Sequence, residues 1–197
     1  MDVLNNKQQL FDRWAPFYDC PFTSIFYQAV HVRLLDYAEL PEQANVLDIG
    51  CGTGRLLNRL VAKYPNLQGT GLDFSSEMLL EAGRSSRYPL QLTFVQGNAT
   101  PLSFADAQFD AIFNTISFLH YPDPTQVLAE VYRTLKPGGM FYLVDLVGRS
   151  LTRIGHDQIK LYSREQRQQM GQQVGLECVK HQHLLGPVLL TIFHKSS

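Results

Sequence analysis

The chain has 197 residues, 45% hydrophobic and 18% charged, which suits one folded domain and excludes a disordered tail protein. Seventeen Lys and Arg stand against eighteen Asp and Glu, so no global positive field draws in nucleic acid or an anionic membrane. Cys20, Cys51 and Cys178 are odd in number and lack CxxC spacing, there is no apolar signal-peptide core at the start, and no apolar run reaches the ~18 residues of a membrane span. The expectation is a cytoplasmic protein without a disulfide framework or a metal site.

Residues 5–40 are aromatic and helical in pattern, with breaks at Pro16 and Pro21, and an N-terminal cover is expected over 1–40. Asn45–Ile49 reads as a buried strand that runs into Gly50. Gly54–Tyr64 places Leu56, Leu57, Leu60 and Val61 on one helical face, and Pro65 stops it. Gln68–Asp73 is a second strand, and Ser75–Ser86 a helix with Ser75 as its N-cap. Leu92–Gln96 and Phe109–Asn114 are strands, and Asp123–Leu135 a helix. Lys136 to Gly139 is a turn, and Met140–Val147 a central strand.

Residues 148–162 read as a short loop on the substrate side, where Arg149, Arg153, His156 and Lys160 face only Asp157. Ser163–Val174 is a polar helix that opens with Ser163 and Gln166 at capping-box spacing. Glu177–Leu185 and Val188–His194 are strands joined at Gly186 and Pro187 as a hairpin. Strands alternating with helices predict a Rossmann-like α/β domain, its seven-stranded sheet mostly parallel and its last two strands antiparallel. The expected units are a cover over 1–40, a core over 45–147 and the remainder over 148–197. In such sheets ligands sit beyond the carboxyl ends of the strands, where strand order reverses.

The segment VLDIGCGTG, residues 46–54, is the strongest chemical signal. Glycines there let the backbone turn sharply and approach a ligand with no Cβ between them. Dinucleotide binders use GxGxxG, whereas the sixth position here is Arg55 and the pattern is GxGxG. Asp48, two residues before Gly50, suits a cationic amino-acid moiety better than a pyrophosphate. Asp73 closes the second strand, where a carboxylate can accept from both hydroxyls of a ribose. Capping the next helix is the bland alternative for Asp73. His120 and Tyr121 follow the fourth strand, and His120 is either a base or a wall of the pocket. His31 lies in an apolar helix and reads as a core or surface histidine. Asp145 is either a pocket residue or a buried structural acid.

VLDIGCGTG, GLDFSSEML and the run from Gly97 to Asp145, in this order, resemble the class I S-adenosylmethionine-dependent methyltransferases, nearest to those of ubiquinone and menaquinone biosynthesis. The resemblance implies S-adenosylmethionine as cofactor, S-adenosylhomocysteine as product and a small-molecule acceptor at O, C or N. It sets Gly50 and Gly52 along the methionine and ribose, Asp48 near the ammonium and Asp73 on the ribose diol. Phe74 and Met78 pack on ribose or adenine, while Asn98 and Ala99 meet the adenine edge. Asn114 faces the methionine part, and Tyr18 covers the cofactor. Asn98 stands where the family usually has aspartate. Its carbonyl can accept as aspartate does, and its amide adds a donor. The acceptor would be apolar, aromatic or anionic. The rival readings are a non-catalytic cofactor-binding module and a nicotinamide-dependent oxidoreductase, which Arg55 disfavours.

Overall fold

The computed structural model describes residues 21–148, 151–154 and 157–196. Tyr18, with Phe11, Trp14 and Phe17 of the expected cover, lies outside the described residues, as do Arg149 and His156. The chain order is α1 (Pro21–Leu35), β1 (Asn45–Ile49), α2 (Arg55–Lys63), β2 (Gln68–Asp73), α3 (Ser76–Ser85), β3 (Leu92–Gln96) and β4 (Phe109–Thr115). A 3-10 turn (Phe118–His120) follows, then α4 (Pro124–Thr134), β5 (Leu135–Leu146), β6 (Leu151–Ile154), β7 (Asp157–Lys160), α5 (Arg164–Gln173), β8 (Leu176–Leu185) and β9 (Val188–Lys195).

Seven strands form one sheet in the order β3-β2-β1-β4-β5-β9-β8, with β6 and β7 apart as a pair. The strands β3, β2, β1, β4 and β5 are parallel, and β9 runs antiparallel to both β5 and β8. Strand order reverses between β1 and β4, so the carboxyl ends at Ile49 and Thr115 flank the crevice that this topology leaves open.

Side chains that alternate along the central strands fill two separate cores. Val46, Ala111, Phe113, Tyr142, Val144 and Leu190 point to the face that Val30 and Leu34 of α1 and Leu56, Leu57 and Leu60 of α2 cover. Leu47, Ile49, Ile112, Phe141, Leu143 and Phe193 point to the opposite face, against Val127, Leu128 and Val131 of α4. Each core closes one side of the sheet, and the crevice opens at the strand ends between them.

Local signals set the element ends. Ser75 accepts from the Met78 N–H at 3.2 Å and caps α3, and Asp123 does the same for α4, whose first residue is Pro124. Ser163 and Gln166 make both arms of a capping box at α5.

Pro21 is the first residue of α1, where its missing N–H costs nothing, in line with the break expected there. Two expectations need correction. The expected turn at 136–139 is an irregularity within β5, because Leu135 already pairs with Phe109 before Met140 pairs with Ala111. The expected loop over 148–162 holds the β6–β7 hairpin, in register from Leu151↔Lys160 to Ile154↔Asp157, and returns to the end of β5 through a Val147↔Tyr162 bridge.

Candidate functional site

The crook after β1 is built from backbone. Gly50, Gly52 and Gly54 have φ of 73°, 52° and 71°, a region that side chains with a Cβ rarely adopt. A Cβ on Gly50 would lie 2.6 Å from the Ser117 Oγ, and one on Gly54 2.7 Å from the Phe94 ring. The Gly50 and Cys51 N–H groups donate to the Leu72 carbonyl at 2.8 and 3.0 Å, which ties the crook to the end of β2.

Asp73 ends β2 and is 7% exposed. Its Oδ2 accepts from the Gly52 N–H at 2.8 Å and its Oδ1 from the Ser75 N–H at 3.0 Å. The carboxylate is thereby held at the crook. Helix capping falls to Ser75, so capping does not account for Asp73 being an acid.

Beyond these ends lies a cleft with about 1080 Å³ of empty space, open solvent included. Gly50, Gly52, Asp73, Phe74 and Met78 form one wall. Asn98 and Ala99, beyond β3, form a second, and Ile116, Ser117, His120 and Tyr121, beyond β4, a third. Eight of the expected residues therefore converge: Gly50, Gly52, Asp73, Phe74, Met78, Asn98, Ala99 and His120.

Asn114 lies behind that wall, 1% exposed. Its Nδ2 donates to the Ile49 carbonyl at 2.8 Å, the Ser117 Oγ at 2.7 Å and the Tyr121 hydroxyl at 2.9 Å. Its amide thus clamps the post-β4 loop onto the end of β1. Burial raises the Tyr121 phenol well above its ordinary pKa, so it stays protonated, while hydrogen bonds from Ser117 and Asn114 act in the opposite direction.

Asp48 does not line the main cleft. It lines a smaller recess beside it, with Tyr27 and His31 of α1, Arg55 of α2 and Thr115 at the end of β4. Gly50, Gly52 and Thr115 border both spaces. Burial, and then the nearby Asp73 charge, push the Asp48 pKa up to about 8. His31 is 7% exposed, and burial, helped by Arg59 and Arg55, lowers its pKa to about 3. The sequence offered no period that would bring His31 here, because α1 reaches the recess only by packing across the sheet.

Asp145, near the end of β5, is 1% exposed. It accepts from the Leu119 N–H at 2.9 Å and the Leu146 N–H at 2.7 Å. It therefore holds the 3-10 turn that carries His120, and does not line the cleft.

These residues fit the cofactor implied by the motifs. A ribose diol would find a fixed carboxylate, a flat base would find Phe74, Met78 and the backbone after β3, and Gly50 and Gly52 border the cleft without a Cβ. The buried Asp48 Oδ1 has no hydrogen-bond partner among the described residues, which suits a cation arriving beside it.

Residues 46–139 match the model of a methyltransferase domain. The chain is 38% identical over 148 residues to the 2-phytyl-1,4-naphtoquinone methyltransferase of Thermosynechococcus vestitus, a match covering 72% of this chain and 65% of that protein. It is 37% identical over 101 residues to the demethylmenaquinone methyltransferase of Deinococcus radiodurans, covering 51% and 42%. These matches thus take in less than two thirds of the relatives' own length. Among solved structures, a chain from the complex of the Haloferax volcanii Trm112 methyltransferase activator superposes with TM-score 0.82, at 22% identity over 95% of this chain and 98% of that one. The DhpI–SAH complex superposes with TM-score 0.80, at 22% identity over 98% and 97%.

Proposed function

Because the chain belongs to the class I S-adenosylmethionine-dependent methyltransferase family, we propose that it transfers a methyl group to a small-molecule acceptor, an aromatic ring of the quinol type. The observation that carries this reading is the Asp73 carboxylate, fixed by the Gly52 and Ser75 N–H groups at the rim of a cleft that Gly50 and Gly52 border without a Cβ. The quinone-directed relatives support an aromatic acceptor, as do the ring of Tyr121 and the side chains of Ile116 and Val127 on the far wall.

S-adenosylmethionine, when bound, supplies an activated methyl group on a sulfonium. Position and dryness are then what the chain must provide. Asp73 accepts from the ribose hydroxyls, and Phe74 and Met78 pack on the sugar and base. Asn98 and the Ala99 backbone meet the adenine edge, the Asn98 carbonyl taking the role of the usual aspartate. The acceptor sits against Tyr121 and His120, in line with the bond that breaks. His120 takes the acceptor's proton as the new bond forms.

Calorimetry with S-adenosylhomocysteine, followed by turnover assays on reduced naphthoquinones and a wider metabolite panel, tests the reading. Binding is expected, with Asp73→Ala weakening it by roughly 1–3 kcal/mol and His120→Ala lowering kcat by about 10²-fold or more while changing its pH profile. Binding without turnover on any acceptor would instead favour a non-catalytic module. Failure to bind would remove the cofactor assignment.

A further inference from the structure

A helix that covers one face of a sheet normally turns its apolar side chains inward and its polar ones outward. α1, with the sequence PFTSIFYQAVHVRLL, departs from this rule. Val30 and Leu34 are fully buried against the sheet. Ile25, Ala29 and Val32 recur at helical spacing on the opposite side, and Ile25 and Val32 are 64% and 51% exposed. Single exposed apolar side chains are ordinary, but here their placement is one-sided. Among the described residues the large exposed ones, Ile25, Val32, Leu80, Leu90 and Val179, include none from α4 or α5, which cover the other face.

The neighbouring helix supplies charge. α2 buries Leu56, Leu57, Leu60 and Val61, which leaves Arg55, Arg59 and Lys63 in a row on its outward side. The two rows adjoin, since the Lys63 ammonium donates to the Leu35 carbonyl and the Arg59 charge reaches His31. Neither α1 nor α2 contains an Asp or Glu, and Arg59 and Lys63 form no ion pair among the described residues. Arg33 is exposed on the other flank of α1, and Asp36 follows the helix at the end of the row. An apolar row thus runs between cations, although the chain as a whole carries a charge of -1.

We propose that this face docks on an anionic lipid bilayer, with Ile25 and Val32 set among the headgroups and Arg33, Arg59 and Lys63 against their charges. Apolar side chains flanked by cations are what such an interface favours. A second copy would bring the same cations against them. Among the described residues no helix is long and apolar enough to cross a membrane, so α1 lies on the bilayer surface. Tyr27 and His31, elsewhere on the same helix, line the recess that shares Gly50, Gly52 and Thr115 with the cleft. Docking therefore brings the cleft beside the bilayer, which holds an apolar acceptor better than water does. That use of the surface rests on the reading of the acceptor as an aromatic ring of the quinol type.

Cosedimentation of the whole chain with vesicles of phosphatidylcholine alone, and of phosphatidylcholine mixed equally with phosphatidylglycerol, tests the docking. It needs neither cofactor nor acceptor. The chain is expected to sediment with the mixed vesicles at low salt, to be released as salt is raised, and to stay in solution with phosphatidylcholine alone. Ile25→Ser with Val32→Ser is expected to weaken binding by about 10-fold or more, with the melting temperature and the affinity for S-adenosylhomocysteine as in wild type. Arg33→Gln with Arg59→Gln is expected to weaken it roughly 30-fold, at about 5-fold per cation. No sedimentation with the mixed vesicles overturns the proposal, as does binding that both pairs of substitutions leave unchanged. A dimer in analytical ultracentrifugation that Ile25→Ser with Val32→Ser dissolves overturns it too, because the face then joins two copies of the chain. Vesicle binding in a protein that fails to bind S-adenosylhomocysteine leaves the docking in place and removes the reading of the cleft.

Discussion

Two buried acids stand at opposite sides of the strand ends. Asp48 on β1 is 2% exposed and Asp145 on β5 is 1% exposed, so burial penalises their charge about equally. Asp145 is pushed up only to about 6, because Arg167 and the N–H groups of Leu119, Leu146 and Phe118 favour its charged form. Asp48 is pushed up to about 8, because burial and then the nearby Asp73 charge both disfavour its charged form. The surroundings of Asp145 offset its burial, whereas those of Asp48 add to it.

The largest expected consequence is in the pH dependence of stability. A pKa raised in the folded state means that the folded protein holds a proton the unfolded chain has lost. Asp48 thus contributes fully below about pH 4, and stability falls as pH rises to about 8, where the loss is complete. The slope is at most ~1.4 kcal/mol per pH unit, a ceiling on the order of 5 kcal/mol over the window. Asp48→Asn should remove that slope and be more stable than wild type at pH 8, while binding S-adenosylhomocysteine more weakly. Urea unfolding at several pH values measures it. A slope that survives the substitution would mean that Asp48 is already satisfied.

Arg167 is the counterpart on the other side. It is 1% exposed and donates to the Leu189 carbonyl at 3.0 Å and the Leu146 carbonyl at 2.7 Å. Burial lowers its pKa to about 10, still well above neutrality. Arg167→Met keeps much of the volume but leaves Asp145 without its cation and the Leu189 and Leu146 carbonyls without the guanidinium's hydrogen bonds. A loss of about 3–5 kcal/mol at pH 8 is expected, and less at pH 5, where Asp145 can take up a proton. An equal loss at both pH values would show that the carbonyls alone matter.

The two sides also differ in how far the sequence disclosed them. The crook, Asp73 and the strand ends were legible because buried parallel strands, glycine turns and helix caps are local signals. β1, β2 and β3 have the bounds that the sequence reading gives them. The recess was not legible, since His31 meets Asp48 and Thr115 only after α1 has packed over the sheet. Asn114 was legible as a strand-end residue but not as the clamp it forms, because its partners Ile49, Ser117 and Tyr121 meet only across the switch point. The β6–β7 hairpin was hidden by the charges and the short strands between Gly148 and Tyr162.

Asp145→Asn sharpens the contrast with Asp48→Asn. Both variants remove a buried charge, yet the first should destabilise by about 1–3 kcal/mol. Oδ1 and Oδ2 of Asp145 each accept a backbone N–H, so an amide nitrogen in either position faces a donor. The same exchange at Asp48, where Oδ1 has no partner, faces no such conflict. Opposite signs in the two variants, read in one urea series at pH 8, would confirm that the acids play different parts.

The smallest effect concerns how the two acids of the crook act on each other. Burial is the main cause of the raised Asp48 pKa and the Asp73 charge the lesser one. Asp73→Asn removes the second and leaves the first. The fall of stability with pH should therefore persist but end below pH 8, while the amide facing the Gly52 or Ser75 N–H lowers stability by the same amount at every pH. The change of window thus separates from the offset. An unchanged window would mean that burial alone raises Asp48.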